Sequence, residues 1–233
     1  MRIRKCRGTT VSEKVVSEKR WQIGRREKIA KIRDAAIKQF CKHGYAGSSL
    51  NDVARVVEMH KATLYHYFPS KELLLADILD YAHEQITEIR TNIQSMDVTS
   101  IERLRMLLRQ QTLWYLENVD LARVTFHEWT NVGDDLIEAQ TEQRRLYDRF
   151  LKSLISKAQE DGFIDESTPV SVTANYITGA INAAPAWFRD DGSLTAEQMA
   201  DLFAAISLRT LGSVDSGLTF DGIQSPTQHK LSA

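Results

Sequence analysis

Apolar residues recur every three or four positions along most of this 233-residue chain, and they nowhere alternate over a sustained run. A period near 3.6 gathers apolar side chains on one face of an α-helix, whereas a half-buried strand needs a period of two. This constraint selects an all-α fold. Ile29, Ile32, Ala36, Ile37 and Phe40 share one face of a helix expected from Arg25. His43-Gly44 ends it, with glycine free to take the left-handed conformation. Ser49-Leu50-Asn51-Asp52 has the form of a capping box, with Asp in place of Glu or Gln. Leu50, Val53, Ala54 and Val57 make a short second helix, and residues 58–60 break it. Lys61 to Phe68 is a third short helix, stopped by Pro69. Ser70 caps a long fourth helix, and Glu72 suits its positive end.

The remainder reads the same way. Ile101, Leu104, Leu107, Leu108, Gln111 and Tyr115 form a stripe. Helices are expected over Leu121–Trp129, Leu136–Glu160, Ser171–Arg189 (kinked or frayed at Pro185) and Thr195–Leu211, about nine in all. Residues 1–24 show little periodicity and many charges, so they read as a mobile basic arm on which only Trp21 and Ile23 pack inward. The expected domains are a small helical unit over 25–71, a larger helical bundle over 72–212 and a disordered tail over 213–233. No apolar run approaches the roughly 18 residues of a membrane span. Polar residues stand where a signal peptide places its apolar stretch. Cys6 and Cys41 alone make neither a zinc site nor a disulfide framework. A cytoplasmic protein without a membrane partner is the expectation.

The net charge of −1 hides a polarised chain. Residues 1–71 hold 17 Lys/Arg against 6 Asp/Glu, a balance of +11, and the rest hold 13 against 25, a balance of −12. A basic head on an acidic body points to a polyanion at one end only. Within the head, Ser49 to Phe68 is two short helices joined by a tight turn, the helix-turn-helix arrangement. Its second helix would present Lys61, Ala62, Thr63, Tyr65 and His66 to the major groove, with Leu64 and Phe68 turned inward. Small residues let a helix approach base edges, while hydroxyls and Lys reach phosphates and bases.

The string "GYAGSSLNDVARVVEMHKATLYHYFPSKELLLADIL" resembles the DNA-binding domain of the TetR family of transcriptional regulators, above all in Lys-x-Thr-Leu-Tyr-His-Tyr-Phe-x-Ser-Lys. The resemblance implies base or phosphate contacts from Lys61, Thr63 and Tyr65, phosphate contacts from Tyr67 and Lys71, and backbone contacts at Ser49. Glu58 departs from the glycine usual in the turn, which implies a positive φ, and His60 is a poorer cap than the usual Ser or Thr. Further on, "AAPAWFRDDGSLTAEQMADLFAAISLRTL" resembles a branch of the family that regulates steroid and fatty-acid catabolism. That branch senses acyl-CoA thioesters, which makes an acyl-CoA the implied effector.

Small residues Gly179, Ala180 and Ala183, with Trp187, Leu202, Phe203 and Ile206, read as a two-fold helical interface, hence a homodimer on a palindromic operator. Trp114, Tyr115, Phe126, His127, Trp129, Arg145, Tyr147 and Tyr176 are the candidate effector-binding residues. Arg144 is a further polar candidate in the same body. No catalytic constellation, cofactor motif or metal motif stands out, so the expected function is a ligand-released repressor and not an enzyme. The alternatives are the same fold sensing an uncharged aromatic or drug-like compound, and an all-α interaction protein that binds no DNA.

Overall fold

The computed structural model describes the backbone of residues 11–212 and side chains from residue 21 onward. The first ten residues of the expected arm, with Cys6, and the expected tail lie outside that range. Nine α-helices occur among the described residues: α1 (Val11–His43), α2 (Leu50–Val56), α3 (Lys61–Tyr67), α4 (Lys71–Gln94), α5 (Ser100–Glu117), α6 (Val119–His127), α7 (Asp134–Glu160), α8 (Val170–Trp187) and α9 (Ala196–Thr210). A single 3₁₀ turn, Trp129–Asn131, follows α6. The all-α expectation holds.

One expectation is corrected at the start. Residues 11–24 are not a mobile arm but the first part of α1, and Trp21 and Ile23 are exposed instead of packed. The stretch is free of proline and rich in Glu, Lys, Arg and Gln, which favour helix on propensity alone. Periodicity detects a helix only through a repeated apolar stripe, which this stretch lacks.

The chain divides into two compact units that do not follow the expected boundary at residue 72. The first comprises the residues up to Glu84 together with Val119–Glu142. The second comprises Gln85–Asn118 and the residues from Gln143 on.

In the first unit, Ile32, Ala36 and Phe40 of α1 are buried with Leu50 and Val53 of α2, Leu64 of α3, Leu75 and Ile78 of α4, and Leu121 and Val124 of α6. Each of these side chains except Ala36 contributes about 1.5–3 kcal/mol by leaving water. Arg33 ties α1 to α4. Its Nε donates to Asp77 Oδ2 at 2.7 Å, and its guanidinium lies 4.2 Å from the Tyr81 ring centroid.

In the second unit, α5 packs along α9 and against α8. Its core holds Leu104, Leu107, Leu108, Leu151, Ile155, Ile177, Ile181 and Leu208. Helix starts are capped as the sequence dictates: Thr99 with Glu102 and Thr195 with Gln198 both form reciprocal boxes. α8 contains Pro185 in its last turn and ends at Trp187.

Candidate functional site

The helix-turn-helix is built from local chemistry. Ser49 accepts from the Asp52 N–H at 3.3 Å, and Asp52 Oδ2 accepts from the Ser49 N–H at 3.1 Å and from its hydroxyl at 2.6 Å. The Ser49 hydrogen bonds, foremost that of its side chain, hold the Asp52 carboxyl below its ordinary range. This reciprocal pair fixes where α2 begins. Its end is a turn in which Glu58 adopts φ of 53°. A side chain there crowds its own backbone, so the position favours glycine. His60 precedes α3 in extended backbone and makes no side-chain cap. α3 is therefore held by packing, with Leu64 fully buried and Phe68 nearly so.

The outward residues are those a groove-reading helix needs. Lys61, Ala62, Thr63, Tyr65 and His66 are exposed, and Tyr67 is half-buried. Lys61 Nζ stands 5.5 Å from the Tyr65 ring centroid, and His66 meets Tyr67 edge to face at 5.9 Å.

Lys71 differs from its expected phosphate role. Its ammonium turns inward and donates to the carbonyls of Tyr45 at 2.8 Å and Ser48 at 3.1 Å. It also lies 4.0 Å from the Tyr45 ring centroid. Two of its three donors thus hold the loop that presents Ser49. The Tyr45 N–H donates to Glu128 Oε1 at 3.2 Å, so one residue is gripped from α4 and from the segment after α6. Burial, then the carboxylates of Glu72 and Glu128, push the Tyr45 hydroxyl up to about 12. Cys41 donates to Asp120 Oδ1 at 3.2 Å, and burial foremost raises its thiol pKa, which keeps it unreactive.

The candidate effector residues do not form one set. Tyr115 and Tyr147 of the second unit do meet. The Tyr147 hydroxyl donates to Gln111 Oε1, and Gln111 Nε2 donates to the Tyr115 hydroxyl at 2.9 Å. Burial raises the pKa of both phenols, so both are neutral donors and acceptors. Trp114 stacks edge to face on Tyr115 at 5.4 Å. Arg144 interacts electrostatically with Tyr115, and burial lowers its pKa.

Phe126, His127 and Trp129 belong to the first unit, and Arg145 is exposed. Tyr176 is 64% exposed on the outer face of α8, where it lines a groove with Ala180, Phe203 and Ile206. Gln111 is the residue sequence reading passed over. Its signal was an amide standing at a core position of the α5 stripe.

Of the proposed interface residues, Ala180, Phe203 and Ile206 line one groove between α8 and α9. Gly179, Ala180, Ala183, Trp187 and Ile206 are exposed, and Leu202 and Phe203 are half-buried. Trp187 stacks on Phe203 with centroids 5.9 Å apart. In the Trp-Phe-Arg motif, Phe188 is buried and Arg189 pairs with Asp191 in the turn at 2.9 Å. The motif therefore shapes the α8–α9 corner. Among the described residues no group of three His, Cys, Asp or Glu is placed to hold a metal, and no helix is long and apolar enough to cross a membrane.

A basic helix-turn-helix with an exposed second helix, joined to a helical bundle, defines a DNA-binding regulator. Residues 32–78 match the family model of bacterial regulatory proteins of the tetR family, and residues 97–211 match that of the tetracyclin repressor-like C-terminal domain. The chain belongs to the TetR family of transcriptional regulators.

Its relatives include the fatty acid metabolism regulator protein of Bacillus subtilis (strain 168), 24% identical over 168 residues, 72% of this chain and 87% of that one. The transcriptional repressor KstR2 of Mycobacterium tuberculosis is 23% identical over 201 residues, 82% of this chain and 92% of that one. The solved structure of KstR2 shares the fold, with a TM-score of 0.74 at 18% identity over 78% of this chain and 93% of the other. The structure of AibR in complex with isovaleryl coenzyme A and operator DNA has a TM-score of 0.70 and 28% identity, over 76% of this chain and 96% of that one.

Proposed function

We propose that the protein is a homodimeric repressor that reads a palindromic operator with α3 and is released by an acyl-CoA thioester. The observation that carries the DNA reading is the division of α3 itself. Leu64 is buried while Lys61, Ala62, Thr63, Tyr65 and His66 stand outward in the +11 half of the chain. Lys61 and Thr63 meet bases, Lys61 also neutralising a phosphate, Tyr65 and Tyr67 reach phosphates, and Lys71 positions the Ser49 loop on the backbone.

Dimerisation is supported by the exposed α8–α9 face, since a two-fold axis supplies the second half-site. The thioester is supported by AibR, whose structure holds isovaleryl coenzyme A and operator DNA. Trp114, Tyr115, Tyr147 and Gln111 form the apolar-walled, hydroxyl-bearing part of the effector region, with the Arg144 cation beside Tyr115. A second reading, an uncharged aromatic effector, draws on the same residues, because the groups directly linked there are two neutral phenols and an amide.

Release follows if the effector binds the DNA-incompetent state better than the competent one. α4 is the natural lever: it begins at Lys71, which holds the Ser49 loop, and runs to Gln94 in the second unit. The test is thermal stability in isovaleryl-CoA, isovaleric acid and free CoA, with gel shifts on the DNA flanking the gene. Saturating thioester, at about 100 times its Kd, adds about 2.7 kcal/mol. Stabilisation by the thioester alone, with loss of the shifted band, supports the proposal. A thermal response to none of the three sinks the acyl-CoA reading and leaves DNA binding to be judged by the shift.

A further inference from the structure

α1 outruns the fold it belongs to. Ile32 is its first buried side chain among those described, and 21 residues of helix precede it. At 1.5 Å per residue they span about 30 Å. Packing does not account for Trp21 to Lys28, where every residue but Gly24 is exposed, because a helix without an apolar partner gains nothing from burial. Its charge is one-sided: Lys14, Lys19, Arg20, Arg25, Arg26, Lys28 and Lys31 stand against Glu13, Glu18 and Glu27.

Its orientation is fixed by two observations. Trp21, Arg25, Lys28 and Ile32 fall at i, i+4, i+7 and i+11, which is one helical face. Ile32 is buried in the first unit, so that face turns toward the helix-turn-helix. The Arg25 guanidinium indeed lies 6.0 Å from the ring centroid of Tyr67, on α3. The stripe therefore leaves the core beside the recognition helix. There Arg25 and Lys28 are exposed, and Trp21 is 67% exposed.

We infer that the extension of α1 is a second DNA-binding element, seated on the sugar-phosphate backbone beside the groove that α3 enters. The inference rests on the DNA reading above. Arg25 and Lys28 meet phosphate oxygens, and Trp21 lies against deoxyribose. No base edge is read, so the contribution is independent of sequence. A rigid helix also avoids the ordering entropy that a mobile arm loses on binding.

Fluorescence anisotropy with a mixed-sequence DNA duplex of about three helical turns tests this without a known operator. The slope of log affinity against log KCl concentration falls by about 0.9 for each phosphate the protein no longer neutralises. The double variant Arg25→Gln, Lys28→Gln lowers the slope by about 1.8 with an unchanged melting temperature, while Lys61→Gln lowers it by about 0.9. Deleting residues 1–24 also lowers the slope. If Lys61→Gln flattens the slope but the double variant and the deletion leave it unchanged, the inference is overturned and the recognition helix stands. If the wild-type protein shows no salt-dependent binding, the DNA reading itself fails, and the inference with it.

Discussion

Glu58 holds a left-handed conformation at φ of 53° inside a turn that abuts the recognition helix. A non-glycine residue there costs about 1–2 kcal/mol. Glu58→Gly is expected to stabilise the protein by about 0.5–1 kcal/mol, after allowing for glycine's greater freedom when unfolded. Chemical denaturation measures it, and a lower midpoint would contradict the strain. The same substitution removes a carboxylate next to the DNA face, so it also tightens binding to any duplex. Glu58→Ala, which keeps the strain and loses the charge, separates the two effects.

Tyr45 gives a pH-dependent counterpart. Its hydroxyl ionises near 12 when folded, above the ordinary 10.0. Its contribution is therefore complete below pH 10 and is lost as pH rises toward 12. Tyr45→Phe should flatten the decline in stability across that window. An identical decline in the variant would place the alkaline sensitivity elsewhere.

The strain at Glu58 and the missing cap at His60 were legible in the sequence, because both follow from a residue's own backbone and side chain. The inward turn of Lys71 was not. Its acceptors are backbone carbonyls 26 and 23 residues away, and carbonyls carry no residue-specific signal.

At the scale of elements, α3 separates folding from recognition within seven residues. Leu64 is fully buried, so Leu64→Ala should cost about 2–5 kcal/mol from lost transfer energy and the cavity left behind. Thr63 is exposed one residue earlier. Thr63→Ala should leave the melting temperature unchanged and shift base preference by about 1–3 kcal/mol at one position of each half-site. Binding to a library of randomised duplexes reads it out, and a uniform loss across all sequences would make Thr63 a phosphate contact instead.

Periodicity recovered α2 to α9 because their apolar residues recur at helical spacing. It missed the first turns of α1 because that stretch shows no such repeat. It also could not sort the aromatics. Tyr115 and Tyr176 look alike in sequence, yet one is buried in α5 and the other faces outward on α8. Only the packing of α5 against α8 and α9 decides that.

For the whole molecule, α8 carries an apolar stripe on each side. Ala174, Ile177, Ile181 and Ala184 face the core of the second unit. Val172, Tyr176, Ala180, Ala183 and Trp187 repeat at three- and four-residue spacing on the other side, all exposed. Tyr176, Ala180, Phe203 and Ile206 line a shared groove between α8 and α9. An exposed apolar surface of this kind invites association, and small residues along its centre allow two helices to approach closely. A second copy related by a two-fold axis would close four helices over it.

Placing a charge there should prevent closure, since a carboxylate buried without a partner costs several kcal/mol. The double variant Ala183→Glu, Ile206→Glu is therefore expected to sediment as a monomer at micromolar concentration while the wild-type protein sediments as a dimer. Helical content should be retained, because both positions are exposed within one chain. Operator affinity should fall about 100-fold or more once the two half-sites are no longer linked. Binding to a mixed-sequence duplex should keep its salt slope per protomer, since the phosphate contacts lie in the other unit. A variant that stays dimeric would move the interface off α8 and α9. A monomeric variant with undiminished operator affinity would show that one helix-turn-helix suffices, and the palindrome would lose its purpose.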